Sequence, residues 1–175
     1  MFIIHHFLVF ILMSNNLIFD FNSASNIDVW RVVNDGVMGG KSKGNFKLNP
    51  DGHASFSGQV SLENNGGFSS VRYAFPRIDV SQKKQIIIRL KGDQKAYQFR
   101  IKDNSRNYYS YIFPFTTNGD WQNIHIPLNE FYPSFRGRKL DIPNFSETYV
   151  EEIVFLIGNK KAERFELLID KIELK

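Results

Sequence analysis

From Leu17 to the C-terminus, apolar and polar residues alternate in short runs, and Gly, Pro, Asn or Asp interrupts them about every 8 to 12 residues. Successive side chains of a strand point to opposite faces, so a period of two describes strands with one face buried. No stretch holds a 3.6-residue period over the length of a helix, which excludes helical bundles and folds that alternate strands with helices. The chain is therefore predicted to be all-β, a sandwich or barrel of about eleven strands. These are Leu17 to Phe21, Val29 to Val33, Gly44 to Leu48, His53 to Val60, Phe68 to Phe75, Gln85 to Leu90, Ala96 to Lys102, Tyr108 to Phe115, Trp121 to Ile126, Ile153 to Ile157 and Phe165 to Leu174.

The punctuation between the runs is equally informative. Asn49-Pro50-Asp51-Gly52 predicts a hairpin, since Pro presets the first turn dihedral and Gly accepts a positive φ. Short helical turns are expected at Ser23 to Asp28 and at Ser146 to Glu151. Leu128 to Tyr149 holds Pro133 and Pro143 without a strong period and is read as the longest connection, where function tends to sit. In the last run Phe165, Leu167 and Ile169 share one parity and Ile172 and Leu174 the other. Keeping all five inside requires an extra residue, so a β-bulge is predicted near Asp170.

Composition fits a sheet-rich core: 17 Phe stand against three Met and two Trp, and flat rings pack well on pleated surfaces. With no Cys, disulfides, a thiol nucleophile and thiolate zinc sites are excluded. The excess of 22 basic over 18 acidic residues is too small to argue for nucleic acid. A chain of 175 residues suits one domain, assigned to 17–175. Residues 1–16 are set apart as a leader-like or disordered apolar segment. Met1 to Leu12 falls short of the roughly 20 residues of a membrane span. It also lacks a preceding Lys or Arg and a following small-residue cleavage site. The expectation is a cytoplasmic protein if translation starts at Met13, and an exported one if the apolar run acts as a signal.

The densest glycine cluster is Asn34-Asp35-Gly36-Val37-Met38-Gly39-Gly40-Lys41-Ser42-Lys43-Gly44. It is not a phosphate loop, because the first Gly falls one place too late before Gly40-Lys41-Ser42 and a strand rather than a helix follows. A second cluster runs through Asn65-Gly66-Gly67-Phe68 into a strand on which Ser69, Val71, Tyr73 and Phe75 should face the core. Ser70 and Arg72 then face the other way. A mid-strand Arg is either half of an ion pair or a clamp on an anion or carbonyl. A third segment, Phe131 to Arg138, combines three aromatic rings with two guanidinium groups. Phe131 and Phe135 are expected to plug one end of the sandwich, with Arg136 available for contacts.

Catalytic patterns are sparse. His53 and His125 stand alone on their strands, with no metal-binding spacing, and His125 should face solvent opposite Ile124 and Ile126. No Gly-x-Ser-x-Gly elbow is present, and Glu63, Asp35 and Glu130 qualify as hydrolytic acids only by lying in loops.

Trp30-Arg31-Val32-Val33 leading into Asn34-Asp35-Gly36-Val37-Met38-Gly39-Gly40, then Phe56-Ser57-Gly58 and Asn65 to Arg72, resembles the complex I intermediate-associated protein 30 family. Gly92-Asp93, Tyr97-Gln98-Phe99-Arg100, Trp121, Ile126-Pro127 and Phe131 through Gly137 extend the resemblance over most of Leu17 to Lys175. It implies a galactose-binding-like jelly-roll β-sandwich and a non-catalytic assembly module with a protein partner, such as a respiratory-complex subunit. Likeness to sugar-binding jelly rolls also implies a structural calcium near Asp20 and Asp170, with no other cofactor expected. The expected binding surface comprises Asn34, Asp35, Met38, Gly39, Gly40, Asn65, Gly66, Gly67, Phe68, Arg72 and Arg136, with the glycine amides offered to an extended partner segment. The alternative is a carbohydrate or small-anion module on the same surface, with Tyr108 or Tyr132 as a stacking platform.

Overall fold

The alternating runs become thirteen strands in the computed structural model, which describes residues 16–175. In chain order they are β1 (Leu17–Asp20), β2 (Trp30–Asn34), β3 (Lys43–Leu48), β4 (Ala54–Val60), β5 (Ser69–Asp79), β6 (Gln85–Lys91) and β7 (Ala96–Lys102). There follow β8 (Ser110–Thr116), β9 (Trp121–Pro127), β10 (Tyr132–Phe135), β11 (Arg138–Lys139), β12 (Tyr149–Ile157) and β13 (Glu163–Leu174). One sheet of six strands has the order β3-β4-β13-β6-β9, with β1 also paired to β13; the other, of seven, is β11-β10-β8-β7-β12-β5-β2. All pairings are antiparallel, as a jelly-roll sandwich requires.

The buried parity of each strand fills the space between the sheets. Phe56, Ile88 and Leu167 from one sheet and Phe99, Ile101 and Phe155 from the other are all fully buried. Aromatic contacts join the sheets at one end, where Trp30 lies 5.2 Å from Phe46 and 5.4 Å from Phe19. The expected bulge is present: the register of β13 against β6 shifts between Ile169 and Lys171, and all five apolar side chains are buried. The expected hairpin at 49–52 also forms, with Gly52 at φ 87°.

Three local expectations are corrected. Residues 23–28 form separate turns rather than a helical one, because the Asn22 and Asn26 side chains accept from the amides of Ala24 and Asp28 and close each turn locally. The turn expected at 146–151 gives way to β12, whose start pairs Tyr149 with Asp79. That pairing exists because β5 continues past Phe75 through a register shift that accommodates Pro76. The long connection after Pro127 contains β10 and β11, a hairpin whose turn residues Arg136 and Gly137 have φ of 49° and 77°. The apolar segment of residues 1–15 lies outside the described residues. None of the described helices is long and apolar enough to cross a membrane.

Candidate functional site

On the outer face of the seven-stranded sheet lies a cleft of about 570 Å³. Strand alternation builds its floor in rows. Val154 on β12 is flanked by Arg72 on β5 and Arg100 on β7, and Leu156 is flanked by Ser70 and Gln98. In the next row Glu152 neighbours Lys102. Gly67 and Phe68 form one wall; Tyr108, Phe135 and Arg136 form another.

The electrostatics are lopsided, with four cationic side chains facing one carboxylate. Glu152 is 7% exposed, and its Oε1 lies 3.9 Å from Arg72 Nη1 without a hydrogen bond. Arg72 Nε is likewise buried without a partner. Arg100 donates to the Gln98 side-chain oxygen over 3.0 and 2.6 Å, a neutral acceptor. Burial pulls the Arg100 guanidinium down to about 10, and the like charge of Arg72 adds to that shift. Lys102 Nζ is held 2.6 Å from the Asn107 carbonyl. At the mouth Tyr108 is 67% exposed and meets Phe135 edge-on at 5.1 Å, and Arg136 lies over the Phe135 ring.

Of the residues singled out from the sequence, Gly67, Phe68, Arg72 and Arg136 line this cleft. The first glycine loop does not; it buttresses the second. Asp35, only 4% exposed, accepts from Ser42 N at 3.1 Å, Ser42 Oγ at 2.5 Å, Gly67 N at 2.6 Å and Phe68 N at 3.3 Å. Burial raises the Asp35 pKa, but these hydrogen bonds more than reverse that and hold the carboxyl below the usual range. A Cβ on Gly40 would lie 2.3 Å from Asp35 Cγ and one on Gly66 2.6 Å from Oδ2, so the carboxylate itself demands glycine at both places. Asn34 Oδ1 accepts from Gly44 N and Ser69 Oγ, and Gly39 O accepts from Asn64. Lys41 pairs with Glu63 across the two loops. Asn65 is exposed with φ 59°, and the Met38 side chain lies outside the described residues.

Two sequence readings change. The amides of Gly39, Gly40, Gly66 and Gly67 all donate within the molecule, to Gly36 O, Asp35 O, Glu63 O and Asp35 Oδ2, so they are not offered to a partner. Phe131 is a fully buried plug as expected, but Phe135 belongs to the cleft. Reasoning from the sequence missed Gln98, Arg100 and Lys102, whose polar parity opposite Tyr97, Phe99 and Ile101 was a usable signal. It also missed Glu152, hidden in the apolar run of β12.

The other candidates lie elsewhere. Tyr132 sits under Lys139 Nζ at 5.6 Å, and His125 is exposed as expected. On the opposite sheet Asp170 Oδ1 is 3.1 Å from His53 Nδ1 and Oδ2 is 3.1 Å from Arg89 Nε, while Asp20 Oδ1 is 4.0 Å from Lys171. These carboxylates face nitrogen-bearing basic side chains, a set that does not fit the six to eight oxygens calcium takes.

Comparisons with known proteins agree with this architecture. The family model for Complex I intermediate-associated protein 30 matches residues 19–169. The mitochondrial protein of that name from Drosophila melanogaster is 26% identical over 156 residues, covering 77% of this chain and 53% of the relative. The one from Mus musculus is 26% identical over 180 residues, covering 89% and 55%. The chain thus spans about half the length of the curated relatives it matches. Among solved structures, a family 11 carbohydrate-binding module from Clostridium thermocellum, in complex with a β-1,3-1,4-mixed-linked tetrasaccharide, superposes with a TM-score of 0.65 at 20% identity, covering 91% of this chain and 94% of that one. A family 30 carbohydrate-binding module gives 0.53 at 16% identity, covering 77% and 73%. At these identities the likeness concerns the fold.

Proposed function

We propose, from the premise that the chain belongs to the Complex I intermediate-associated protein 30 family, that it is a non-catalytic assembly module whose cleft receives part of a protein partner such as a respiratory-complex subunit. The observation that carries this reading is the convergence of distant segments, Gly67 to Arg72, Gln98 to Lys102, Tyr108 to Ser110, Ser134 to Gly137 and Glu152 to Leu156, on one concave sheet face. Arg72, Arg100 and Arg136 supply charge-assisted donors there, and Tyr108 and Phe135 supply apolar contact area, the composition of a protein-binding hot spot. The cleft's single carboxylate is held beside Arg72, which supports binding rather than acid–base chemistry.

The test is a photo-crosslinking residue placed at Tyr108 and, separately, at Trp121 on the opposite sheet. Adducts to a subunit of a membrane complex from the Tyr108 position alone, diminished by Arg72→Ala, are expected. Adducts from the Trp121 position alone would refute the placement. The alternative, a carbohydrate or small-anion module, draws on the exposed Tyr108 ring and on the carbohydrate-binding modules that share the fold. Arg72-dependent thermal stabilisation by a soluble mixed-linkage glucan tetrasaccharide would favour it.

A further inference from the structure

We infer that the cleft recognises an acidic segment of its partner, with one side-chain carboxylate lying over Val154 between Arg72 and Arg100. The inference rests on the assembly-module reading and adds the chemistry of the occupant. Register places the two arginines on opposite sides of Val154, two strand spacings apart. That is about 10 Å between their backbones. One carboxylate spans such a gap when each guanidinium reaches inward and donates over about 2.8 Å. Neither arginine has a full internal partner: Arg100 meets a neutral amide oxygen, and Arg72 has an unpaired buried Nε and a carboxylate 3.9 Å away. Two half-buried like charges facing one floor repel each other, so an entering carboxylate relieves that repulsion while satisfying donors.

Charge counting favours an acidic occupant. Arg72, Arg100, Lys102 and Arg136 contribute four positive charges and Glu152 one negative, leaving three unmatched around the cleft. A segment with several side-chain carboxylates matches that excess, with one of them over the centre of the floor. The rim fits an extended peptide: Phe68 stands on one side, Tyr108 and Phe135 on the other, and the lining passes from β5 over β12, β7 and β8 to β10.

The experiment titrates the full chain with acetylated tetraglutamate amide and its tetraglutamine counterpart at low salt, following backbone amide shifts by NMR and affinity by calorimetry. Tetraglutamate is expected to shift the amides of Arg72, Val154 and Arg100, with tetraglutamine at least about tenfold weaker. Arg72→Gln and Arg100→Gln should each weaken tetraglutamate by a similar factor. Arg100→Lys, which keeps the charge but loses the planar fork, should give a smaller loss and covers the case in which Arg100→Gln does not fold. Arg77→Gln, outside the cleft, should change nothing. Equal binding of both peptides through these residues would overturn the carboxylate assignment and leave the protein-binding reading standing. Tighter cleft binding by tetragalacturonate or by a neutral glucan tetrasaccharide than by either peptide would overturn both. Binding by neither peptide nor sugar would overturn the carboxylate assignment.

Discussion

Replacing Asp35 by Asn tests whether the densest glycine signature is structural. The carboxylate accepts four hydrogen bonds from Ser42, Gly67 and Phe68 at a site that is 4% exposed. A bond to a charged acceptor contributes about 2 kcal/mol and its neutral counterpart about half of that. Asn keeps three bonds as neutral ones and turns an amide donor toward the fourth, so the expected loss is roughly 3–5 kcal/mol. With a urea dependence of about 2 kcal/mol/M, the unfolding midpoint should fall by about 2 M. The sign of the pH dependence is also fixed. The folded carboxyl titrates below its unfolded value, so its contribution is complete above that value, near 4, and is lost as pH falls through the lower folded one. The gap between wild type and Asp35→Asn should be flat from about pH 5 to 8 and close below about pH 4. If the variant is too unstable to handle, Ser42→Ala removes the hydroxyl donor while keeping the Ser42 amide bond, and should cost about 1–2 kcal/mol. A midpoint shift under about 0.3 M with Asp35→Asn, or loss of ligand binding at unchanged stability, would refute the buttress and make Asp35 a contact residue.

Three further outcomes are expected. Glu152→Gln removes the one negative charge of the cleft and should tighten tetraglutamate binding about threefold to tenfold at low salt, the gain fading as salt approaches about 1 M; weakened binding would show that Glu152 orients Arg72 productively. Tyr97→Phe removes the 2.8 Å bond from a buried hydroxyl to Asp93 and should cost about 1–2 kcal/mol in chemical denaturation, while burial keeps the wild-type phenol from ionising in a spectroscopic titration. Gly58→Ala places a Cβ 2.0 Å from the Lys43 carbonyl oxygen, so β3 and β4 cannot keep their spacing; a loss above about 3 kcal/mol, or no soluble protein, is expected.

Alternation made the sheet architecture readable because burial on one face writes a period of two into the chain, and the bulge at Asp170 is readable for the same reason: a parity change must be absorbed by an extra residue. The hidden elements lack that signature. β10 carries Pro133 in mid-strand, and β5 passes Pro76 through a register shift, so both look like strand ends. At the site, Arg72 was legible because Ser69, Val71 and Tyr73 declare the inner face. Glu152 was not, because β12 is a central strand with buried residues on both faces, its outer ones flanked by side chains of β5 and β7, and reads as almost continuously apolar. The glycines were visible but their use was not: only coordinates show that Gly40 and Gly66 make room for a carboxylate rather than for a ligand.

This division bears on what family membership says about recognition. The Asp35 loop, which carries the most distinctive stretch of the resemblance, spends its polar groups on holding Gly67 and Phe68 in place, and only those two residues of the clasp reach the cleft. The groups that line the cleft floor come from the outward parity of β5, β7 and β12 and from the β10–β11 turn, positions where exchange of one side chain leaves the ladder intact. A chain with the same clasp and different residues at 72, 100 and 152 would therefore keep this fold and present a cleft of different charge. Replacing Arg72 and Arg100 together by Gln should accordingly remove the preference for acidic over neutral peptides, with the Asp35-dependent part of the stability unchanged. If that double variant instead loses the Asp35-dependent stability, cleft and clasp form one cooperative unit and cannot be separated in this way.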